Sequence, residues 1–328
     1  MNNVLVTGAS GFVGKHLLEV LARRNIKTTA LYHSRAPNID SRSPNGSIHW
    51  TACDLTRDDI GRHLTGTEVV FHLAGYAGLG SDSQTLEQLN NINVLATKRI
   101  ASAALEAGCQ LVYVSSIHAC DYAPEIRIID ESNGHPRSEY GWSKRRAEDA
   151  IRRLGTKGLN FITLRPTQLF GEYHEGSVCE LAKVIKRRRF VLIGDGHNAT
   201  NFLYVKDFVD ILLRVAQSPG CNRETYIAAD EPLPLISLAE HIGAQVGVTL
   251  PRFRLPRSLG LMIGSALDLL SSAFNVKLSL SRSRVAAITS DVRYSRRKLS
   301  DSIGAELPYG IKMGLTRAID WYRSAGLL

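Results

Sequence analysis

The sequence predicts an α/β protein: a doubly wound parallel sheet followed by a smaller α/β domain towards the C-terminus. Three observations carry this. Short strand-forming runs recur at 4–6, 27–32, 48–53, 69–73 and 111–114. Stretches with helical spacing separate them, the first marked by Leu17, Leu18, Val20 and Leu21. Glycines at positions 8, 11 and 14 join the first run to that helix. Strands alternating with helices pair in parallel, and the ligands of such a sheet sit outside the carboxyl ends of its strands.

The first element ends in Thr7 and runs into Gly8-Ala9-Ser10-Gly11-Phe12-Val13-Gly14. A glycine turn between a strand and a helix aims free N–H groups and the positive helix end at an anion, usually a pyrophosphate. Gly8 permits the sharp turn, Gly11 the approach of a phosphate, and Gly14 close packing of the helix on the sheet. Ser10, Phe12 and Val13 share the turn and complete the candidate cradle. Past the second strand, dinucleotide folds carry an acid for the ribose of NAD or a basic residue for the extra phosphate of NADP. Here the chain reads His33-Ser34-Arg35, and the first acid is Asp40. Ser34 and Arg35 therefore predict NADP, with NAD the alternative.

The third strand ends at Asp54-Leu55 and the fourth at Leu73-Ala74-Gly75. Residues 85–107 read as one helix, and the fifth strand runs into Ser115-Ser116. Gly8, Asp54, Gly75 and Ser116 all fall at strand ends, where ligands are expected. Beyond them, Tyr140 and Lys144 stand four residues apart and share a helix face. A phenol near pKa 10 is a poor acid or base at neutral pH, and a neighbouring ammonium is expected to lower it. Such a pair suits proton exchange with an alcohol or ketone, assisted by Ser116 or, failing it, Ser115.

With these residues the chain resembles the extended short-chain dehydrogenases/reductases of the NAD-dependent epimerase/dehydratase group. The resemblance rests on Thr7 to Gly14, Asp54-Leu55-Thr56, His72-Leu73-Ala74-Gly75, Asn93, Ser115-Ser116, Tyr140 to Lys144, Arg165-Pro166 to Gly171, and Gly194-Asp195-Gly196 to Asp207. It implies a Rossmann domain over 1–171 plus about 200–230, and a substrate domain from 172–199 and 231–328. It also implies that Asp54 and Leu55 line the adenine, that Lys144 binds the nicotinamide ribose, and that Tyr140 is the acid/base. Asn93 would sit in the active-site helix, with Pro166 and Thr167 beside the nicotinamide. A homodimer through the tyrosine helix and its neighbour is implied in the same way.

Composition sets the remaining bounds. The five cysteines are scattered with no C-x-x-C, which argues against disulfides or zinc and for a reducing cytoplasm. No metal is called. The first strand starts too close to Met1 for a signal peptide. The net charge of +9 favours an anionic small-molecule substrate; no nucleic-acid module is visible. Residues 258–274 are the most apolar stretch but are short for a spanning helix and contain Asp268. They read as a substrate-domain helix covering a pocket, with interfacial membrane contact as the alternative.

The leading functional reading is an NAD(P)-dependent oxidoreductase or epimerase working by hydride transfer at a hydroxyl or keto carbon of a nucleotide sugar. The alternatives are an enzyme resembling 3β-hydroxysteroid dehydrogenases and dihydroflavonol reductases, and a non-catalytic NADP-sensing protein. Departures bear on the substrate. Nucleotide-sugar members carry Asn where this chain has Gln168, and Arg where it has Thr200-Asn201-Phe202. Ile117-His118 replaces the Asp-Glu of the 4,6-dehydratases, leaving His118 either an extra acid/base or structural. Arg282 or Arg284 is a candidate for a substrate phosphate, or simply a surface arginine.

Overall fold

A computed structural model describes residues 1–33, 46–78, 80–121, 127–274 and 281–328, the side chains of 269–274 excepted. Its centre is a seven-stranded sheet of β1 (Asn3–Thr7), β2 (Lys27–Tyr32), β3 (Ile48–Ala52), β4 (Val69–His72), β5 (Gln110–Val114), β6 (Phe161–Pro166) and β7 (Glu224–Ala228). The order is β7-β6-β5-β4-β1-β2-β3, and every pairing is parallel. The winding reverses between β1 and β4, where such sheets bind their ligands.

The helices follow in chain order: α1 (Phe12–Arg23), α2 (Ser83–Gln88), α3 (Thr97–Glu106), α4 (Glu139–Gly155), α5 (Ser177–Lys186), α6 (Val205–Gln217), α7 (Leu235–Val246), α8 (Arg257–Phe274), α9 (Arg282–Ile288), α10 (Arg297–Ile303) and α11 (Gly310–Ser324). The region expected as one helix over 85–107 is helical throughout, but Leu89–Ala96 between α2 and α3 is a π-helix. Wider turns of this kind displace a side chain from the register that α-periodicity predicts.

Alternation within the apolar strands separates two cores. Val4 and Val6 of β1 face a layer built from α1 and α6, including Leu17, Leu21, Phe208 and Leu212. Leu5, between them, faces α3 and α4 through Ile100, Ala104, Ala147 and Ile151. Strands buried on both faces read as continuous apolar runs, which is why these were visible in the sequence. A third core unites α5, α7 and α11 around Phe170 and Tyr204. Asp207 of α6 ties α11 to it, accepting from Tyr309 N and Gly310 N at 2.9 Å each. A small fourth cluster sets Cys120 and Ile129 against Val292 and Tyr294.

The expectation that 258–274 covers a pocket is not met by Leu259, Met262 and Ile263. In α8 the glycines face the protein. A Cβ at Gly260 would lie 2.7 Å from Ile193, and one at Gly264 2.7 Å from Arg282 N. Leu259, Met262 and Ile263 face outward instead. Among the described residues no helix is long and apolar enough to cross a membrane. No group of three or more His, Cys, Asp or Glu among them could hold a metal. All five cysteines are buried and unpaired.

Candidate active site

The glycine turn leaves β1 at Gly8, whose φ is +66° and whose Cβ would fall 2.7 Å from Ala74 N. Only glycine combines that backbone angle with so close an approach. At Gly14 a Cβ would sit 2.6 Å from Ala9 O, so α1 begins directly against the turn. Gly11 N donates to Gly8 O at 2.9 Å and closes the loop. Helix α1 has no side-chain cap and no acid in its first turn, so its leading N–H groups and positive end remain available to an anion. Ser10 is exposed; Phe12 and Val13 are half-buried.

Phe12 stacks on His174, with ring centroids 4.5 Å apart. His16 Nε2 lies 3.0 Å from Glu172 O, and the Glu172 carboxylate accepts from Lys206 Nζ at 2.7 Å and Tyr204 OH at 2.9 Å. These contacts clamp the phosphate turn to the segment following β6. Sequence reasoning did not find His16, Glu172, His174 or Lys206 as a group, because they come from three separate stretches. Burial keeps the His16 pKa below its ordinary value, so it serves as a neutral spacer.

Beneath the turn, His72 bridges β1 and α3. Its Nδ1 is 2.7 Å from Thr7 Oγ1 and its Nε2 2.8 Å from Thr97 Oγ1. Complete burial, reinforced by nearby Lys144, drives its pKa to about 3, so the imidazole stays neutral. Ala74 N donates to Thr7 Oγ1 at 3.3 Å and fixes the Leu73-Ala74-Gly75 strand end beside Gly8. On the other side of β1, Asp54 Oδ1 accepts from Thr56 N at 2.9 Å and Thr56 Oγ1 at 2.6 Å. Those bonds hold its carboxyl below the usual range. Its neighbour Leu55 is half-buried. Ser34 and Arg35 lie outside the described residues.

The chemistry gathers at the end of β5. Ser138 caps α4, accepting from Gly141 N at 3.1 Å, which sets Tyr140 in the first turn and Lys144 one turn further. Lys144 is buried; its Nζ donates to Val114 O at 3.1 Å and lies 3.0 Å from where a Cβ on Gly75 would be. Burial lowers its pKa to about 8, with Glu148 acting the other way. The expected lowering of Tyr140 is not found. Burial raises that phenol above its ordinary value, and a hydrogen bond with Ser116 partly offsets it. The ammonium is directed at the β5 carbonyl rather than at the phenol, so desolvation wins.

The two serines divide. Ser115 Oγ donates to Glu148 Oε1 at 2.5 Å, and Glu148 receives Arg165 through Nε at 3.0 Å and Nη2 at 2.6 Å. Both charged partners are 1% exposed. Ser115 is thereby committed to a structural ion pair, and Ser116 is the hydroxyl on the Tyr140 side. Asn93, within the π-helix, accepts from Tyr76 N at 2.7 Å and donates to Tyr76 O and Ser143 Oγ at 2.9 Å each. Ser143 in turn donates to Tyr140 O at 2.7 Å. Asn93 thus joins the chain after β4 to the start of α4. His118 meets the Tyr140 ring edge-on at 5.7 Å, and its Nδ1 is 2.5 Å from Asp121 Oδ2.

Pro166 ends β6, and Thr167 N donates to Ala228 O at 2.9 Å. The Thr167 Oγ1 atom is buried without a hydrogen-bond partner among the described residues. This orphaned hydroxyl, the glycine cradle and the buried Lys144 ammonium fit a dinucleotide: the turn would hold its pyrophosphate, and Lys144 and Thr167 would meet its far end.

Comparison with known proteins gives a consistent picture. The model of the NAD dependent epimerase/dehydratase family matches residues 4–228. An N-acetyl-alpha-D-glucosaminyl-diphospho-ditrans,octacis-undecaprenol 4-epimerase of Escherichia coli O157:H7 is 28% identical, over 98% of this chain and 95% of that protein. A ceramide reductase of Caulobacter vibrioides is 26% identical, over 99% of this chain and 96% of that protein. Among solved structures, a UDP-glucuronic acid 4-epimerase from Bacillus cereus in complex with NAD superposes with a TM-score of 0.75 at 18% identity, over 98% of this chain and 99% of that one.

Proposed function

We propose, from the premise that the chain belongs to the NAD dependent epimerase/dehydratase family, that it exchanges hydride at C4 of a sugar carried on a diphosphate, in the manner of a 4-epimerase. The observation that carries this is Ser116, Tyr140 and Lys144 converging at the end of β5, beside a glycine turn built for a pyrophosphate. When bound, the nicotinamide supplies hydride acceptance and return. The protein does the rest. Tyr140 exchanges a proton with the sugar oxygen, donating as the phenol and accepting only after that phenol has lost its own proton, and Ser116 holds the same oxygen. Lys144 holds the nicotinamide ribose, and Pro166 and Thr167 wall the ring. Asp54 and Leu55 line the adenine.

The cofactor is of the nicotinamide dinucleotide class. NADP is our assignment from Ser34 and Arg35 and from the missing acid after β2. Residues 172–199 and 231–328 are assigned to the substrate domain. Return of β7, at 224–228, to the central sheet supports counting 200–230 with the first domain. A homodimer through α3 and α4 is supported by the groove there, lined by Leu95, Arg146, Arg153 and Leu154.

A second reading of the carrier is favoured by specific side chains. Gln168 Nε2 donates to Ser177 Oγ, Thr200 Oγ1 to Leu233 O, and Asn201 Nδ2 to Val292 O. At the positions that meet a nucleoside diphosphate in nucleotide-sugar members, each side chain is therefore engaged by the protein itself, Gln168 at the surface and Thr200 and Asn201 half-buried. With the undecaprenol-linked relative, this points to a diphosphate borne on a lipid rather than on a nucleoside. The test offers the protein each carrier in turn and compares Tyr140→Phe with the wild type. Turnover is expected to fall about 10²- to 10⁴-fold while the thermal stabilisation by cofactor persists. Retained turnover in Tyr140→Phe refutes the acid/base assignment.

A further inference from the structure

Helix α8 is built inside out. On its inward side Gly260 and Gly264 pack against Ile193 and the start of α9, beside the half-buried Leu261 and Leu267. Its outward face carries Leu259, Met262, Ile263 and Ala266, spaced i, i+3, i+4 and i+7 and therefore within an arc of about 100°. All four are exposed, Met262 at 67%. Phe253, just ahead of the helix, is 64% exposed. Burying apolar side chains in the core does not account for this face; an exposed apolar stripe of this kind marks a contact surface.

Arginine surrounds the stripe. Arg252 and Arg254 bracket Phe253 in the chain, Arg257 opens α8, and Arg282 reaches Ser265 Oγ at 3.3 Å from α9. All four are exposed, and their guanidinium groups meet no carboxylate among the described residues; Arg254 donates to Asp195 O and Arg257 to Thr289 Oγ1. The nearby acid on this helix, Asp268, accepts from the backbone of Arg282. An apolar stripe rimmed by unpaired cations complements an anionic lipid surface, where the side chains enter the acyl boundary and the arginines meet phosphates.

We propose that α8 and Phe253 dock this protein on an anionic phospholipid bilayer. The rim of the docked face connects to the site. Arg257 donates to Thr289 Oγ1, and three residues further Val292 packs on the cluster that contains Cys120, two residues past His118. The stretch from 289 to 292 spans at most about 11 Å. If the substrate's diphosphate is carried on a lipid, which rests on the second reading above, docking brings its sugar to the wall containing His118.

The test is flotation of the purified protein with vesicles of phosphatidylcholine alone or mixed with phosphatidylglycerol. The wild type is expected to float with the anionic vesicles, and to lose that binding as salt rises from about 0.1 to 1 M and charge is screened. The Met262→Glu/Ile263→Glu double variant is expected to partition about tenfold or more weakly, with the cofactor-induced thermal shift unchanged as a check on folding. Failure of the wild type to float with anionic vesicles overturns the proposal, as does equal flotation of the double variant. A wild type that ignores vesicles but forms an assembly dispersed by the double substitution gives the stripe to a protein partner and likewise overturns it. Turnover on a lipid-linked sugar diphosphate dispersed in detergent, measured without vesicles, reads the carrier assignment separately.

Discussion

Arg165→Met removes one half of the ion pair that fastens α4 to β6. Arg165 and Glu148 are both 1% exposed and joined by two hydrogen bonds, and Ser115 uses the same carboxylate. Breaking a buried pair strands the other charge, at a cost of about 3–5 kcal/mol. For 328 residues the unfolding entropy is about 690 cal/mol/K, so each kcal/mol moves the midpoint by about 1.5 °C. The single variant should therefore melt about 4–7 °C lower. Glu148→Leu should lose a similar amount. The double variant Glu148→Leu/Arg165→Met leaves no stranded charge, only the Ser115 hydroxyl and the Glu131 carbonyl that Arg165 Nη1 reaches at 3.4 Å, a penalty of about 1–3 kcal/mol for a buried group left unpaired. It should be more stable than either single variant. Denaturant unfolding of the four proteins at pH 7 decides it. If the double variant loses the sum of the two singles, the side chains act independently and the account of this pair is wrong.

Three further outcomes are expected. Gly14→Ala places a methyl group 2.6 Å from Ala9 O and should abolish thermal stabilisation by NAD(H) and NADP(H), in a scan that also checks that the variant still folds cooperatively. Lys144 is held at pKa about 8 by burial, below its ordinary 10.5. Below pH 8 the folded state carries a disfavoured charge, and between pH 8 and 10.5 the unfolded chain holds a proton that the folded one has released, so native stability rises across that window. Any gain in melting temperature of Lys144→Met over the wild type should thus be larger at pH 7 than at pH 10. Leu95 is 47% exposed in the α4 groove, and Leu95→Glu should convert a dimer to a monomer by light scattering.

Local patterns in the sequence carried the sheet, the glycine turn and the Tyr140/Lys144 spacing, because strands buried on both faces and helix periodicity leave local traces. Asn93 was legible only through family resemblance; its bonds to Tyr76 and Ser143 depend on a π-helix that α-spacing does not reveal. The partner of Arg165 was not legible, since Glu148 lies on another element and nothing local couples them. The direction of the Tyr140 shift was misjudged for a related reason. Sequence spacing says that Lys144 shares its helix face, whereas the depth of burial and the pull of Val114 O are tertiary facts. The apolar content of α8 was visible, but its outward orientation follows from glycine packing against α9.

The return of β7 to the sheet has a consequence for synthesis of the chain. Strand β6 is complete at Pro166, yet its outer neighbour spans Glu224–Ala228, more than fifty residues later. Until then a growing polypeptide carries β6 with a row of unpaired backbone donors and acceptors, an invitation to edge-to-edge association. Fragments that stop short of residue 224 should aggregate more readily than fragments that add residues 224–228 to the same chain.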